Sequence, residues 1–339
     1  CWANENWTRR WDGGDHEIIL AQNHSPEDDL AFLADILPAL QDSRYIRIDG
    51  KPLLIVYRPG LLPDPAATAL RWRKAAAEAG LPGLFIASAA TFGFEDYESI
   101  GYDGLVQFPP HNVAASDITS RQTLLNPNFS GHVYDYNEYA ENATKVIADK
   151  KHTFPCVMMN WDNEARKPGK GHIFLGASPE SYKSWLRRCF DFVLSNNKQS
   201  ERLVFINAWN EWAEGTYLEP DRRYGYAYLH ATADLLRQYY NSEDLDESIK
   251  INNQRFVKKN ENALVAHLYY FDLLPELLSL IERNVNLDAF ITIPVHFSRE
   301  QVGEILASLD NVYVLRVQNR GRDILPFLNI YPIIKSYSY

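Results

Sequence analysis

Short apolar runs alternate along this chain with longer stretches in which apolar residues recur every three or four positions. The short runs predict buried strands, and the periodic stretches predict helices that bury one face. Predicted strands cover residues 44–48, 52–57, 84–89, 102–108, 153–159 and 203–206. Predicted helices run from Ser25 to just before Pro38 and over residues 64–80, 136–150, 179–195 and 226–240. Strands that alternate with helices indicate an α/β fold around a parallel sheet.

Polar and aromatic residues cluster where these predicted strands end. The clusters are Asn4/Glu5, Tyr57/Arg58, Gln107/His111, Trp161/Asp162 and Glu211/Glu214. In a (β/α)8 TIM-type barrel the carboxyl ends of the strands hold the active site, whereas a doubly wound sheet gathers its ligand at one switch point. The clusters therefore favour the barrel. The pattern supplies about six of the eight strands, so we expect the first two βα units to lie upstream of Cys1.

Two glutamates three residues apart follow the predicted strand 203–206. Residues at this spacing lie on one side of a helical turn, so we expect Glu211 and Glu214 to point into the same space. Trp209 and Trp212 flank them, and burial against indole rings raises the pKa of a carboxyl group. Glycoside cleavage requires an acid beside a base or nucleophile. A solvent-exposed pair on a helix is the alternative interpretation.

Further side chains at the strand ends are candidates for binding a sugar, because flat rings stack on pyranoses and polar groups bond to hydroxyls. These candidates are Asn4, Glu5, Trp7, Tyr57, Arg58, His111, Trp161, Asp162, Trp209, Asn210 and Trp212. Structural alternatives stand beside them: Glu5 as the partner of Arg9 or Arg10, Asp162 in the barrel rim, and His111 as a structural histidine. At least one of the three tryptophans is expected in the core. The polar stretch 112–134 is expected to be a long active-site loop.

Composition narrows the class of ligand. The 339-residue chain has a formal net charge of −10, which disfavours nucleic acid because phosphate backbones bind basic surfaces. Three cysteines are too few for a disulfide framework, and Cys156 and Cys189 are expected as buried thiols. No His, Cys or Asp set has metal-ligand spacing, and the sequence contains no transmembrane run. We expect a carbohydrate ligand and neither metal nor cofactor.

A second domain is predicted after a polar and charged linker. The linker covers 241–262 and separates a domain at 1–240 from one at 263–339. Predicted strands and helices alternate again in the second domain, at 263–270, 273–285, 289–294, 298–309 and 312–317. It is therefore a partial α/β domain. Its basic loop 319–323 is predicted either to meet a nucleotide-sugar phosphate or to pair its arginines with Asp323.

The first domain resembles the WbsX-type proteins, a family related to glycoside hydrolase family 99. The resemblance rests on CWANENWTRRWDG at 1–13, DGKPLLIVYRP at 49–59, QFPPH at 107–111, WDNEAR at 161–166 and INAWNEWAEGTYLEPD at 206–221. It implies a (β/α)8 barrel that lacks its first strands in this chain. WbsX-type proteins are associated with lipopolysaccharide O-antigen and other surface-polysaccharide gene clusters, and are often described as glycosyltransferases.

The same resemblance implies roles for two residues. Family 99 enzymes are retaining endo-α-mannosidases with an E-W-x-E-G-T string, which stands here at 211–216. By that match Glu211 deprotonates the sugar 2-hydroxyl to give a 1,2-anhydro intermediate, and Glu214 acts as general acid and then as base. The family has histidine where this chain has Ala213. This departure lies between the two glutamates and bears on which sugar is accepted.

The second domain resembles the rhamnan synthesis protein F family, on the strings HLYYFDLLPELL at 267–278 and NRGRDILPFL at 319–328. That family is associated with building rhamnose-containing cell-wall or lipopolysaccharide chains. The two resemblances imply an enzyme acting on glycosidic bonds of a surface polysaccharide. A glycosyltransferase or assembly component that uses activated sugars is the alternative. They also imply a bacterial cytoplasmic protein, at the inner face of the membrane or free of it, that works beside other polysaccharide-assembly enzymes.

Overall fold

A computed structural model describes residues 4–10, 13–147, 152–239, 250–251, 257–284, 286–295, 297–298, 300–301, 303, 305, 311–317, 324–334 and 337. The chain divides into two compact units, Cys1–Glu219 and Pro220–Tyr339. Most of the predicted linker and the whole of the basic loop 319–323 lie outside the described residues.

The first unit is built from strands that alternate with helices. Its strands are β1 (Trp7–Arg9), β2 (Gly14–Leu20), β3 (Arg47–Ile48), β4 (Lys51–Val56), β5 (Phe85–Ala90), β6 (Gly104–Gln107), β7 (His132–Asp135), β8 (Thr153–Phe154), β9 (Cys156–Met158), β10 (His172–Leu175), β11 (Phe205–Asn207), β12 (Asn210–Glu211) and β13 (Thr216–Tyr217). Its helices are α1 (Pro26–Gln41), α2 (Pro65–Glu78), α3 (Tyr136–Ile147) and α4 (Pro179–Asn196).

Parallel strands in chain order form the main sheet. Strands β4, β5, β6 and β8 are neighbours, and β9 pairs in parallel with β11. Pro155 separates β8 from β9, so the strand predicted over 153–159 is broken where proline has no amide hydrogen to donate. Among the described strands, the order shows no reversal of the kind that creates a switch point. The α/β prediction is confirmed, and the described residues show a curled half-barrel rather than a closed eight-stranded barrel.

Both faces of the main sheet are buried, as expected of parallel strands. Alternate residues of β4 and β5 face opposite sides: Leu54 and Ile86 pack with α1 and α2, whereas Leu53 and Phe85 pack with Phe154. The second cluster lies on the face of the sheet that points away from helices α1 and α2. This double burial holds the strand ends, and the loops that follow them, on a rigid support.

Helix α1 departs from its prediction. It continues through Pro38 to Gln41, where the sequence predicts an end before the proline. Proline in a helix costs about 3 kcal/mol, and burial of a leucine such as Leu40, which is 0% exposed, returns about 2 kcal/mol. The core contact therefore offsets most of the penalty. Leu30, in the first half of the same helix, is 47% exposed.

The predicted loop 112–134 is more ordered than its polar composition suggests. It contains a 3-10 turn at Thr119–Arg121, and β7 begins within it at His132. Strand β7 pairs in parallel with β10, which the sequence pattern does not predict. The two strands lie about 40 residues apart along the chain, and a short run such as β10 carries no local signal of a distant partner.

The second unit contains a four-stranded sheet in the order β14-β17-β16-β15. Its strands are β14 (Lys250–Ile251), β15 (Asn262–His267), β16 (Leu287–Pro294) and β17 (Val312–Val317), and its helices are α5 (Ala227–Tyr239), α6 (Leu274–Glu282) and α7 (Ile324–Ile334). Strands β15, β16 and β17 are parallel, and β14 is antiparallel to β17. Apolar clusters cover both faces. The strands match those predicted at 263–270, 289–294 and 312–317.

The described residues also include two of the three cysteines and the helices that could be tested as membrane spans. Cys156 and Cys189 are buried and free, as predicted. Burial raises the pKa of the Cys189 thiol to about 12, so this thiol stays protonated and unreactive at neutral pH. Within the described ranges no helix is long and apolar enough to cross a membrane.

The contact between α1 and α2 provides a test of the core. Trp72 is 0% exposed, and its Nε1 donates a hydrogen bond to the backbone oxygen of Asp29 at 2.8 Å. We expect Trp72→Ala to lower the free energy of unfolding by about 3–5 kcal/mol. Leu70 on the same helix is 67% exposed, and Leu70→Ala should change it by less than about 0.5 kcal/mol. Urea denaturation measures both, and equal effects of the two variants would contradict this core assignment.

Candidate active site

Hydrogen bonds join the loops that follow β4, β5 and β6 at the carboxyl edge of the main sheet. The Thr91 hydroxyl donates to the Tyr57 carbonyl at 2.9 Å. The amide of Gly93 donates to Asn112 Oδ1 at 2.8 Å, which ties the second loop to the third. The three loops are therefore fixed relative to one another by neutral side chain to backbone bonds.

The same edge continues to the loop that follows β11. Asn207 Nδ2 donates to the Pro109 carbonyl at 2.7 Å. The Thr216 hydroxyl donates to the Asn207 carbonyl, so the start and the end of the glutamate-bearing segment are joined. The first of these contacts places this segment beside the loop that follows β6.

The two glutamates lie on a β-hairpin whose connection is a helical turn, as their spacing predicts. Strands β12 and β13 pair so that Glu211 lies opposite Thr216, and a single 3-10 turn, Trp212–Glu214, connects them. Gly215 follows in the left-handed conformation with φ of 65°. The pairing of β12 with β13 does not follow from the spacing, because short strands that pair only with each other are specified by the whole loop environment.

This hairpin packs directly against the loop that follows β9. The amide of Asp162 donates to the Glu214 carbonyl at 2.8 Å. A Cβ atom at Gly215 would lie 2.9 Å from the Asp162 nitrogen and 3.0 Å from its oxygen. Only glycine fits this approach, both because of the contact and because of its positive φ.

Arg166, in the same loop, contacts both glutamates. Its Nη2 lies 2.8 Å from Glu211 Oε1, and its Nη1 lies 3.0 Å from Glu214 Oε1. The side chains differ in exposure: 27% for Arg166, 36% for Glu211 and 19% for Glu214. The structure thus brings the two carboxylates to one guanidinium group, with Glu214 the more buried of the two.

Burial raises the proton affinity of the Glu214 carboxylate above that of an ordinary glutamate. Desolvation raises the pKa of its carboxyl above the usual 4.5, and the charge of Glu211 raises it further. The charges of Arg166 and Lys167 act in the opposite direction. The net result is a carboxyl group whose pKa lies above that of an ordinary glutamate, which is the direction that a proton donor requires.

The predicted tryptophans occupy three different environments. Trp212 is 47% exposed, stacks on Tyr217 with 3.8 Å between ring centroids, and donates from Nε1 to Glu219 Oε2 at 2.7 Å. Trp161 is buried at 8% exposure, which places it in the core. Trp209 is half-buried and Asn210 is exposed. Trp212 alone combines a fixed ring with open access.

The N-terminal candidates support the loop after β4. Asn4 is fully buried and uses both ends of its amide on the backbone of Arg58, at 2.7 and 2.9 Å, which indicates a structural role. Glu5 forms an ion pair with Arg58. Arg9 pairs with Glu17 across the β1–β2 hairpin at 3.3 Å. Trp7 lies on that hairpin and is 66% exposed.

An aromatic cluster surrounds Arg58 on the other side. The Arg58 guanidinium lies 4.1 Å from the Phe92 ring centroid, and the His111 ring lies 4.9 Å from the same ring. Burial and the Arg58 charge lower the pKa of His111, so its neutral form is favoured. Burial raises the pKa of Tyr57 to about 12, and the charges of Glu5 and Glu214 add to this effect. Tyr57 is thus close enough to Glu5 and to Glu214 for both of their charges to act on its hydroxyl group.

Sequence reasoning assigns no role to Arg166, Phe92 or Tyr217, all of which line this region. Arg166 belongs to a strand-end cluster, WDNEAR, and that position is the one signal that could have identified it. Asp162, a predicted sugar ligand, accepts the Glu164 amide at its Oδ1 at 3.0 Å and forms part of the loop frame. Among the described residues no group of three or more His, Cys, Asp or Glu side chains could hold a metal ion.

Comparisons with known proteins match two different families to two successive parts of the chain. Residues 1–232 match the family model described as glycosyltransferase WbsX, and residues 235–339 match the model described as rhamnan synthesis protein F. Two curated relatives, both named uncharacterized protein WxcX and from two strains of Xanthomonas campestris pv. campestris, are 41% identical over 97% of this chain. The chain spans 46% of the length of these relatives.

Two solved structures show weaker similarity. The GH99 endo-α-mannosidase from Bacteroides thetaiotaomicron aligns with a TM-score of 0.39 and 17% identity over 64% of each chain. The S. aureus MnaA–UDP complex aligns with a TM-score of 0.21 and 11% identity, over 95% of this chain and 58% of that one. The family match covers the main sheet and the glutamate hairpin together. The chain therefore belongs to the glycosyltransferase WbsX family.

Proposed function

We propose that this protein is a carbohydrate-active enzyme that acts with retention on glycosidic bonds of a surface polysaccharide. The observation that carries the proposal is the glutamate pair, with both carboxylates on one guanidinium and unequal burial. Two carboxyl groups with different proton affinities are what glycoside cleavage needs. Exposed Trp212, fixed by its stack on Tyr217, is proposed as a platform for a sugar ring, with Tyr57, Arg58 and His111 as further contacts.

The first step uses both glutamates at once. The Glu211 carboxylate takes the proton of the sugar 2-hydroxyl, and O2 attacks C1 to form a 1,2-anhydro ring. The C1–O bond to the leaving group breaks, and the leaving oxygen receives the proton of Glu214. Glu214 is assigned as the acid because its burial favours the protonated form. Glu211, with the more exposed side chain, is assigned as the base.

The second step reverses these proton movements. A water molecule, or the hydroxyl group of an acceptor sugar, attacks C1 and gives its proton to the Glu214 carboxylate. The C1–O2 bond opens, and O2 takes its proton back from Glu211. Two successive displacements at C1 give net retention of configuration. Water as the nucleophile gives hydrolysis, and a sugar hydroxyl gives transfer.

The family descriptions support a role in polysaccharide assembly. One matching model is described as a glycosyltransferase and the other as a rhamnan synthesis protein, so we propose an O-antigen-type or rhamnan-type glycan as substrate. Ala213 between the glutamates leaves space where the family 99 string has histidine. The alternative function is a glycosyltransferase or assembly component that uses an activated sugar, and it is distinguished by binding of a nucleotide sugar.

We also propose that catalysis belongs to residues 1–240 and that residues 263–339 are a separate assembly domain. The change of family model between residues 232 and 235 supports this division. Because the curated relatives are about twice as long as this chain, activity is tested on the full-length protein.

Loss of either carboxyl group should remove most of the activity. We expect Glu211→Gln and Glu214→Gln each to lower the turnover of mannose- or rhamnose-containing glycans by about 100- to 10,000-fold, the usual contribution of general acid–base catalysis. Reducing-end release measures the hydrolytic reaction, and product length measures transfer.

The matched control is Glu78→Gln, the same chemical change on an exposed helix position with 67% side-chain exposure. It should leave turnover unchanged. Full activity in both active-site variants would show that the two-carboxylate mechanism is wrong. Full activity in Glu211→Gln alone, together with nucleotide-sugar binding, would favour the transferase alternative.

The raised pKa of Glu214 predicts a trade-off between stability and function. Folding raises the pKa of this carboxyl, so the stabilising contribution of its protonated form is fully present below the usual pKa of 4.5 and is lost as the pH rises through the raised value. Glutamine imitates the neutral form at every pH. We therefore expect Glu214→Gln to raise the free energy of unfolding at pH 7.5 and to have little effect at pH 4. Denaturation at both pH values measures this, and a destabilised variant at pH 7.5 would contradict the assignment of Glu214 as the buried acid.

A further inference from the structure

Arg166 is the side chain on which both proposed catalytic carboxylates converge. One of its terminal nitrogens bonds to Glu211 and the other to Glu214, at 2.8 and 3.0 Å. We propose that Arg166 is a positioning residue that holds the acid and the base at a fixed separation throughout the reaction. The proposal rests on the proposed function, because it assigns a task within the two-glutamate mechanism.

The loop that carries Arg166 is fixed by internal contacts. Asn163, which is 6% exposed, accepts the Arg166 amide at its backbone oxygen at 3.0 Å, and its Oδ1 accepts the His172 amide at 2.7 Å. The Glu164 carboxylate accepts amides from Gly169 and Gly171. The turn is therefore closed by a buried asparagine and a clamped carboxylate, so the base of the Arg166 side chain has a defined position.

A guanidinium group is suited to this task and an ammonium group is not. Its planar fork presents two terminal nitrogens, each of which can bond to a different carboxylate at the same time. Lysine at this position would keep the charge but offers one nitrogen on a flexible stem. The position thus requires the geometry of arginine as well as its charge.

The proton movements of the mechanism explain what one bridging cation contributes. In the first step Glu211 gains a proton and Glu214 loses one, so the pair carries a single negative charge before and after. Arg166 bonds to both members, and it therefore keeps one anionic partner whichever glutamate holds the proton. The site does not have to recruit a new counter-charge as the proton moves, which is the advantage of a preorganised environment.

Among the described residues, three charged groups act on the pKa of Glu214. Arg166 and Lys167 come from the loop after β9, and Glu211 comes from the same hairpin. The charge of Glu214 acts in turn on Tyr57, from the loop after β4. Glu214 bonds directly to Arg166, and Lys167 acts on it through its charge. Lys167→Gln is therefore a matched control that removes a neighbouring positive charge and leaves the bridging guanidinium in place.

The test measures the proton affinity of Glu214 directly. Carboxyl-¹³C glutamate is incorporated into the protein, the Glu214 signal is assigned by its loss in Glu214→Gln, and the signal is titrated in Arg166→Gln, Arg166→Lys and Lys167→Gln. We expect the pKa of Glu214 to rise in Arg166→Gln by more than it rises in Lys167→Gln. In Arg166→Lys we expect a pKa close to that of the unsubstituted protein, because the charge is kept. Unchanged thermal melting of the variants confirms that each one is folded.

Kinetics on the full-length protein separate geometry from charge. Arg166→Lys should lower kcat by about 10- to 100-fold, the effect of misplacing a catalytic group by about 1 Å, with KM nearly unchanged. An unchanged Glu214 pKa in Arg166→Gln, or full kcat in Arg166→Lys, overturns the proposal. The predicted pKa changes in a protein that turns over no glycan would support the positioning role while counting against the proposed function, so the two failures are distinguishable.

Discussion

The backbone hydrogen bond from Asp162 to the Glu214 carbonyl, at 2.8 Å, is the contact on which the candidate site depends. It holds the glutamate hairpin against the loop that carries Arg166, and the absence of a side chain at Gly215 permits the approach. If the hairpin moved away, Glu214 would gain solvent and Arg166 would lose both of its carboxylate partners. The burial of the acid and the position of the cation therefore depend on one approach between two backbones.

The rest of the first unit serves to hold that approach in place. Parallel strands buried on both faces hold the strand ends, and side chain to backbone bonds tie successive loops together along the carboxyl edge. The arrangement has an energetic cost, because a partly buried carboxyl with a raised pKa is destabilising in its charged form. The apolar core on both sides of the sheet offsets that cost. The candidate site therefore combines a rigid sheet with carboxyl groups that can exchange protons.

Much of this could be predicted from sequence where the signal is local. Apolar runs predict the main strands to within a few residues, and Asp49 and Gly50 turn the chain between β3 and β4 with positive φ. Clusters at strand ends indicated the edge that carries the glutamates. Features that depend on distant partners could not be found in this way. The pairing of β7 with β10, the burial of Asn4 against Arg58, and the approach of Arg166 to both glutamates each join segments far apart in the chain. Pro155 and Pro38 show that a local signal can also mislead. Pro155 interrupts a stretch that the pattern predicts as one strand. Helix α1 continues through Pro38, because its last turn is held in the core.

The central claim is that Glu211 and Glu214 act in two successive displacements at the anomeric carbon. The most direct test is the anomeric configuration of the first product formed by the full-length protein from a mannose- or rhamnose-containing polysaccharide, followed by ¹H NMR before mutarotation. The account predicts that the first product keeps the configuration of the bond that was cleaved, whether water or a sugar hydroxyl is the acceptor. A first product of inverted configuration would contradict it.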